Sequence, residues 1–443
     1  MEGASYDILL LNAHVLTMDA AGTQYPQGFV AVTGREIASL GPMEKCPPPE
    51  SVRETIDCAG CVIMPGLVNC HTHLAMNYFR GMADDLPLVE WLEKHIWPAE
   101  AKYLTPDFVY DATLFAAAEC LKCGVTCVND MYIFAADVAR ACADAGLRAY
   151  VGEGVIQYPT PAAPTWEDGK RLTEELIAKY QGHELITPTV CAHAPYSCTP
   201  EILKTMHGVA QEHELLFHTH LHESEDEPDR IEWGKTDESP LHSLLRIGVL
   251  GPRMVAAHGV WLSDHDIKHM HDYNCGVAHC PTSNMKLGNG IAPIHSMIEG
   301  EIPVGVGTDG AASNNNLNIW EEIHLAALAS KSVYKNPEVV PAEAAVGFAT
   351  CNAARLLCTD QIGSLAAGRC ADIVVVDMSG LHHAPRYSHP QAVYSRLAYT
   401  AQAADVRDTI ANGRILLRNR QLTQLDEQEL VGKAQRWAER LGE

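Results

Sequence analysis

Two histidines separated by one residue, His71 and His73, follow directly on a short apolar run. Residues 62–70 are rich in β-branched and apolar side chains, which predicts a buried strand. Because side chains i and i+2 of a strand point to the same face, both imidazoles project to one side of its end. Two neutral imidazoles on one face supply half of a zinc site, although a histidine pair at a strand end is also common as polar surface. Residues elsewhere in the chain distinguish between these two interpretations.

Charge and composition exclude several classes of protein. The chain has 443 residues, 47% of them hydrophobic, which is enough for one large core and a smaller second domain. Its formal net charge of −24 argues against nucleic acid and anionic membrane surfaces, since both are bound through Lys and Arg. No long uncharged apolar run occurs, and the N-terminus has no basic segment before an apolar one. These features predict a soluble, cytoplasmic protein that binds neither nucleic acid nor membrane.

The cysteines are predicted to be reduced and mostly buried, because 15 of them occur in a large chain without a secretion signal. Two C-x-x-C pairs, Cys58/Cys61 and Cys120/Cys123, could form a zinc ribbon or a redox pair. However, Cys61 opens a predicted strand, Cys120 ends a predicted helix, and neither pair lies in a knuckle-like loop. We therefore interpret these four cysteines as core residues.

Both ends of the chain have the sequence pattern of a small β domain. Short β segments separated by turns fill residues 1–60, and the pattern returns after residue 363, where Asn412-Gly413 indicates a hairpin turn. Residues 425–441 predict an amphipathic helix. We predict one β-sandwich domain made of residues 1–60 and 364–443, including this C-terminal helix.

The middle of the chain, residues 61–363, alternates strand-like and helix-like segments. Eight strand-like segments are each followed by room for a helix, and they begin near residues 62, 124, 149, 187, 215, 254, 276 and 303. This count predicts an α/β fold, a (β/α)8 TIM-type barrel, in which catalytic residues lie where the strands end. Histidines and carboxylates occur at these ends repeatedly, at His71, His73, Asp130, Glu153, His193, His220, Glu223, His258 and Asp309.

A catalytic zinc site needs three or more N or O ligands and an open position for water. His71 and His73 supply two ligands, and one or two of the three histidines in residues 218–222 can reach the barrel axis. Asp309, at the end of the eighth strand, lies beside the first strand because a barrel closes. Taken alone, Asp309 would be read as a turn residue, but four such side chains at matching strand ends favour a metal site.

Four motifs at these strand ends resemble the amidohydrolase superfamily: HTH at 71–73, HLHE at 220–223, AHG at 257–259 and GTDG at 307–310. Residues 363–372 resemble the segment that returns to the β-sandwich in that superfamily. Within it, the chain is similar to the branch of 5-methylthioadenosine/S-adenosylhomocysteine deaminases, alongside triazine hydrolases and guanine deaminases. This closer similarity is carried by residues 65–73, 79–81, 91–100 and 191–196, and the resemblance covers essentially the whole chain.

The resemblance implies a metal centre with His71, His73, His220 and Asp309 as ligands. It implies one Zn²⁺, or another divalent transition metal, per chain, because no lysine ends the fourth strand where two-metal members carry a carboxylated one. Zinc lowers the pKa of the water that it binds towards neutrality.

The resemblance further implies Glu223, His258 and Asp309 as catalytic residues. Glu223 would protonate the purine ring nitrogen, and His258 would orient the attacking water. Asp309 would take the proton of that water and pass it to the departing ammonia, so that the reaction is general acid/base catalysis without a covalent nucleophile.

The substrate contacts implied by the resemblance are Glu100, which would accept hydrogen bonds from ribose hydroxyls, His193, which would face a purine ring nitrogen, and Glu223. Trp91 and Trp97 could flank the purine, although aromatic residues at helical spacing are more often part of a core.

The region after the third strand carries Glu153, where an arginine would be expected to bind the carboxylate of a homocysteine tail. We therefore predict that 5′-methylthioadenosine, followed closely by adenosine, is a better substrate than S-adenosylhomocysteine.

The predicted function is zinc-dependent hydrolytic deamination of adenosine-type nucleosides to the inosine analogue and ammonia, by a homo-oligomer. One alternative is an aminohydrolase or chlorohydrolase of guanine or triazines, and Glu100 and His193 argue instead for a ribosylated purine. Another is a non-enzymatic scaffold with this fold, which the complete ligand set and Glu223 disfavour.

Overall fold

Two nine-stranded sheets organise the fold in the computed structural model, which describes residues 6–235 and 237–442. In chain order the strands are β1 (Tyr6–Leu16), β2 (Gln24–Thr33), β3 (Glu36–Pro42), β4 (Val52–Asp57), β5 (Cys61–Pro65), β6 (Leu67–Thr72), β7 (Val125–Tyr132), β8 (Arg148–Val155), β9 (Ile186–Pro188), β10 (Val190–Ala192), β11 (Phe217–Leu221), β12 (Met254–His258), β13 (Gly276–His279), β14 (Val304–Val306), β15 (Ile373–Asp377), β16 (Val406–Ala411), β17 (Arg414–Arg418) and β18 (Gln421–Leu422).

The α-helices lie between and around these strands. They are α1 (Leu88–Trp91), α2 (Trp97–Tyr103), α3 (Pro106–Lys122), α4 (Ala135–Ala145), α5 (Trp166–Tyr180), α6 (Pro200–Glu212), α7 (Glu227–Arg230), α8 (Pro240–Ile247), α9 (Asp264–Asp272), α10 (Pro281–Lys286), α11 (Ile294–Glu299), α12 (Ala311–Asn314), α13 (Ile319–Tyr334), α14 (Ala342–Gly347), α15 (Cys351–Leu356), α16 (Gln391–Tyr399) and α17 (Glu427–Leu441). Helix starts follow local chemistry: at α3, for example, the Thr105 hydroxyl accepts a hydrogen bond from the Phe108 backbone and Pro106 takes the first position. Among the described residues, no helix is long and apolar enough to cross a membrane.

The first sheet is built from both ends of the chain, in the order β18-β17-β16-β15-β5-β1-β2-β3, with β4 paired to β1. This confirms the predicted small β domain. The predicted turn at Asn412-Gly413 is also confirmed: both residues have positive φ, 50° and 74°, as a type I′ hairpin requires. The predicted C-terminal amphipathic helix corresponds to α17. All 15 cysteines are free thiols, and the two C-x-x-C pairs are buried as predicted.

The predicted continuous strand from residue 62 into His71 is wrong, because the chain changes sheets at Gly66. The segment before it, β5, pairs with β1 and β15 in the first sheet, whereas β6 pairs with β7 in the second. A Cβ at Gly66 would lie 2.1 Å from Thr126 Oγ1, so only glycine fits this crossing. The domain division at residues 60/61 and 363/364 stays a prediction, with β5 on the first sheet's side of the crossing.

The second sheet is a parallel barrel in the order β14-β13-β12-β11-β10-β8-β7-β6, with β9 also paired to β8. Its nine strands among the described residues fill eight positions, because the fourth strand is broken at Thr189 into β9 and β10. Hydrogen bonds beyond β14 close the ring onto β6: the Asp309 backbone donates to His71 O at 3.0 Å, and Thr308 exchanges two bonds with the Asn69 side chain. The predicted (β/α)8 barrel is confirmed.

Candidate metal and catalytic site

Three imidazoles and one carboxylate converge at the C-terminal end of the barrel strands. Asp309 Oδ1 lies 3.4 Å from His71 Nε2 and 3.3 Å from His73 Nε2. His73 Nε2 in turn lies 3.3 Å from His220 Nε2. Tetrahedral coordination with metal–ligand bonds of about 2.0–2.1 Å places neighbouring donors roughly 3.4 Å apart. These three distances are those expected around a single metal ion, and His71, His73 and Asp309 also form one group of possible metal ligands.

The chemistry of this donor set also fits a metal. His71 Nε2 is buried without a hydrogen-bond partner, which is costly unless a ligand satisfies it. Burial lowers the pKa of His71 to about 3 and that of His220 well below its ordinary value, so both imidazoles are neutral and able to coordinate. Burial alone would raise the pKa of Asp309, but the adjacent imidazoles of His71, His73 and His258 hold it well below its ordinary value.

Outer contacts orient each donor towards the same point. The second nitrogen of every imidazole is engaged elsewhere: His71 Nδ1 contacts His218 Nε2, His73 Nδ1 contacts Met131 O, and His220 Nδ1 contacts His193 O. Oδ2 of Asp309 accepts from Ser283 Oγ at 2.6 Å and Ser313 Oγ at 2.9 Å. Such contacts fix the tautomer and ring plane of a ligand before the metal binds.

Two residues of this site have strained backbone conformations. His258 and Asp309 both have left-handed backbone conformations, with φ of 73° and 62°. A non-glycine residue in this region costs about 1 kcal/mol or more, and such residues cluster at functional sites. Here the turn of the chain directly after a strand aims each side chain at the barrel axis.

Glu223 and His258 face each other beside the four donors. Glu223 Oε2 lies 3.7 Å from His258 Nε2, and Glu223 Oε1 accepts a hydrogen bond from Asn289 Nδ2 at 3.0 Å. Burial raises the pKa of Glu223. Burial would lower the pKa of His258, but the carboxylates of Glu223 and Asp309 outweigh it and raise that pKa. The pair is therefore placed to share or exchange a proton.

A cavity of about 810 Å³ opens over this group, and it brings the predicted site residues together. Its lining includes His73, Glu100, His193, His220, Glu223, His258 and Asp309. Trp91 and Trp97 also line it, so both tryptophans form part of the cavity wall. The volume is in the range of pockets that enclose small organic ligands.

Glu100 is a buried carboxylate on α2 that reaches the cavity. It accepts a hydrogen bond from the hydroxyl of Tyr132 at 2.7 Å, and burial raises its pKa to about 7. His193 follows β10, and its Nδ1 lies 2.7 Å from Ser197 Oγ, which leaves Nε2 as its free nitrogen. Burial lowers the pKa of His193 to about 3, so this imidazole is neutral.

Glu153 does not face the cavity, and the reason for expecting weak homocysteine binding is therefore wrong. Its carboxylate accepts hydrogen bonds from the backbone N–H groups of Phe134 and Ala135, at the start of α4. The helix N-terminus attracts it there. A cation is present instead on another loop: Arg230 of α7 lines the cavity, stacks on Tyr196, and has a buried Nη1 without a partner.

The sequence did not reveal several residues that support the site. Glu227 accepts hydrogen bonds from the backbone N–H groups of His222 and Glu223 at 2.9 and 2.8 Å, and so fixes the turn that presents Glu223. Tyr132 ends β7, so its place at a strand end could have identified it. Arg230 had no such signal, because it lies in a four-residue helix within an irregular segment.

Comparison with known proteins gives relatives along nearly the whole chain. The amidohydrolase family profile matches residues 62–416. A 5-methylthioadenosine/S-adenosylhomocysteine deaminase of Syntrophobacter fumaroxidans is 41% identical over 432 residues, 97% of each chain. A 5′-deoxyadenosine deaminase of Methanosarcina mazei is 41% identical over 439 residues, 98% of each chain. Among solved structures, an adenosine deaminase of Xanthomonas campestris with bound zinc has a TM-score of 0.93 at 33% identity, covering 98% of each chain.

Proposed function

Because this chain belongs to the amidohydrolase family, we propose that it is a hydrolytic deaminase that converts adenosine-type nucleosides to the inosine analogue and ammonia. The observation that carries this proposal is Glu223, a buried acid three residues past a metal-type histidine, facing the cavity within 3.7 Å of His258. The relatives at 41% identity, which are named as deaminases of such nucleosides, support the same reaction.

His71, His73, His220 and Asp309 would hold one Zn²⁺ or similar divalent ion per chain. The unpartnered His71 Nε2 and the donor spacing of 3.3–3.4 Å support this set. When bound, the ion supplies the Lewis acidity that makes a water molecule nucleophilic near neutral pH.

Proton movements are assigned to the chain's own carboxylates. Glu223, whose pKa is raised by burial, would donate a proton to the ring nitrogen beside the carbon under attack. His258, held through Nδ1 by Asn284 Oδ1 at 2.8 Å, orients the incoming oxygen. Asp309, whose Oδ2 is fixed by two serine hydroxyls, stays ionised and can accept a proton from water and deliver it to the leaving amine. As the C–N bond breaks, the remaining proton of the attacking oxygen returns to Glu223, which restores the acid.

Residues that line the cavity would hold the nucleoside. Glu100 accepts hydrogen bonds from ribose hydroxyls while Tyr132 fixes its carboxylate. His193 Nε2 meets a purine ring nitrogen, and Trp91 and Trp97 supply apolar wall. These four proposed contacts favour a ribosylated purine over a free triazine or guanine.

The 5′ tail preference, with 5′-methylthioadenosine ahead of S-adenosylhomocysteine, stays a prediction. The argument that Glu153 would repel a tail carboxylate does not hold, because Glu153 does not line the cavity. Arg230 instead offers a partner for a tail carboxylate. The homo-oligomeric state and the cytoplasmic location also stay predictions.

The test is ammonia release from the purified, zinc-loaded protein with 5′-methylthioadenosine, 5′-deoxyadenosine, adenosine, S-adenosylhomocysteine and guanine, together with chloride release from a chlorotriazine. We expect turnover of the adenosine compounds and little or none of the last two. A protein that releases ammonia only from guanine, or that releases none while retaining its metal, would contradict the proposal.

A further inference from the structure

A second histidine cluster lies away from the barrel axis, on two neighbouring helices. His242 is on α8, and His265 and His269 stand one turn apart on α9. The three rings are in mutual contact, with centroids 4.6–5.0 Å apart. One possible donor nitrogen from each lies within 4.8 Å of the others. None of these residues takes part in the barrel site.

A buried carboxylate contacts the Nδ1 side of His242 and orients its ring. Its Nδ1 lies 3.1 Å from Ser239 Oγ and 3.3 Å from Asp266 Oδ1. Asp266 is almost wholly buried and is itself fixed by the hydroxyls of Ser239 and Ser263, each at 2.6 Å. A carboxylate on one imidazole nitrogen is the outer contact that metal-binding histidines typically have, and it leaves Nε2 as the nitrogen available to a ligand.

We propose that His242, His265 and His269 form a second binding site for a divalent transition-metal ion of the zinc, nickel or copper class. Histidines at i and i+4 point to the same side of a helix, and imidazole nitrogen is the preferred ligand of these ions. The third imidazole comes from a different helix, so an ion at this point joins α8 to α9. Because His265 is exposed, the ion reaches the site directly from solvent and keeps water in its remaining positions.

The position gives the ion a structural role. The helices α8 and α9 lie on either side of β12 in the chain, and β12 ends at His258. An ion bound across them adds a cross-link that the metal-free protein lacks, and binding to the folded state alone raises its stability. Deamination does not require this ion, because the cluster contributes nothing to the cavity lining.

The experiment counts Zn²⁺ per chain after equilibrium dialysis of the full-length protein, in the wild type and three variants. His265→Gln/His269→Gln removes two ligands from the second site, and His271→Gln removes one histidine of the same helix that lies outside the cluster. His220→Ala disables the barrel site. We expect two ions in the wild type and in His271→Gln, and one ion in each of the other two proteins.

Activity and folding separate this result from the proposed function. We expect His265→Gln/His269→Gln to deaminate at the wild-type rate and to keep the wild-type circular dichroism spectrum. If it binds as much zinc as the wild type, the second site does not exist, whatever the enzyme does. If the wild type binds one ion and only His220→Ala loses it, the second-site proposal is likewise overturned while the proposed function stands.

Discussion

At the scale of single residues, the ionisable groups around Glu223 include His258 and Asp309. Burial raises the pKa of Glu223, whereas Asp309, bonded to hydroxyls and imidazoles, stays ionised. Two carboxylates whose environments push their pKa values apart divide the acid and base roles between them. The turn fixed by Glu227 holds the acid on the cavity side.

Replacing Glu223 by Gln should preserve the fold and the metal but reduce kcat by roughly two or more powers of ten, because the general acid is lost. Steady-state kinetics and metal analysis measure the two effects. Glu232→Gln, at an exposed position of the same cavity, is the matched control and should retain activity. Near wild-type turnover by Glu223→Gln would leave the carboxyl without a chemical role.

Glu100 should strengthen substrate binding but lower the stability of the folded protein. Its folded pKa of about 7 lies above the ordinary glutamate value near 4.3, so between these values the folded chain holds more protons than the unfolded chain. Stability due to this group is therefore full below about pH 4 and decreases as pH rises towards 7.

Glu100→Gln should then be more stable than the wild type by on the order of 1–3 kcal/mol at about pH 8, with a smaller gain at about pH 5. Its KM for nucleosides should rise, since a neutral amide accepts weaker hydrogen bonds. Denaturant unfolding at both pH values, with substrate kinetics, checks the two parts. An equal stability difference at both pH values would contradict the titration argument.

Arg230 is the cation positioned to select an anionic 5′ tail. Arg230→Gln should lower kcat/KM for S-adenosylhomocysteine by about one to two powers of ten and change that for 5′-methylthioadenosine little. Arg171→Gln is the control, because Arg171 lies on α5 in ion pairs with Glu175 and Asp168, outside the cavity. Equal losses for the two nucleosides would mean that Arg230 supports the loop rather than the tail.

At the scale of elements, the barrel strands could be predicted because buried parallel strands form continuous apolar runs with a polar residue at the end. The crossing at Gly66 could not be predicted in this way, since both β5 and β6 are apolar and a change of sheet leaves the hydrophobic pattern unaltered. The direction of Glu153 was equally hidden. It depends on the N-terminus of α4, which is distant in sequence and adjacent only in the folded barrel.

Gly66→Ala should destabilise the protein by about 1–3 kcal/mol, because the new methyl group would collide with Thr126 where β5 passes into β6. The cost should shrink in a Thr126→Ala background, which removes the atoms that would lie 2.1 and 2.3 Å away. Gly208→Ala, in α6 with open space around it, is the control and should not destabilise. Thermal unfolding of the wild type, Gly66→Ala, Thr126→Ala and the double variant gives the coupling energy, and additive effects would refute a collision.

At the scale of the whole molecule, the candidate site depends on two long-range contacts of the chain. The barrel brings residue 309 beside residue 71, and the first sheet joins the two ends of the chain around the β5–β6 crossing. The sequence predicts the first of these contacts through the count of eight strands. The side chains that tune the site, such as Ser283 and Asn289, come from segments between strands, where the pattern carries no information on direction.

Metal binding should therefore stabilise the entire fold, since the donors come from β6, β11 and the segment after β14. Without an ion, the buried Nε2 of His71 has no hydrogen-bond partner. With zinc at about 1,000 times its Kd, linkage adds roughly 4 kcal/mol to the stability of the folded state. Differential scanning calorimetry with chelator and with added Zn²⁺ should show a large rise in Tm for the wild type. His265→Gln/His269→Gln should retain most of this rise, because its barrel site is intact. His220→Ala should lose most of it, and an unchanged rise in that variant would place the stabilising ion outside the barrel.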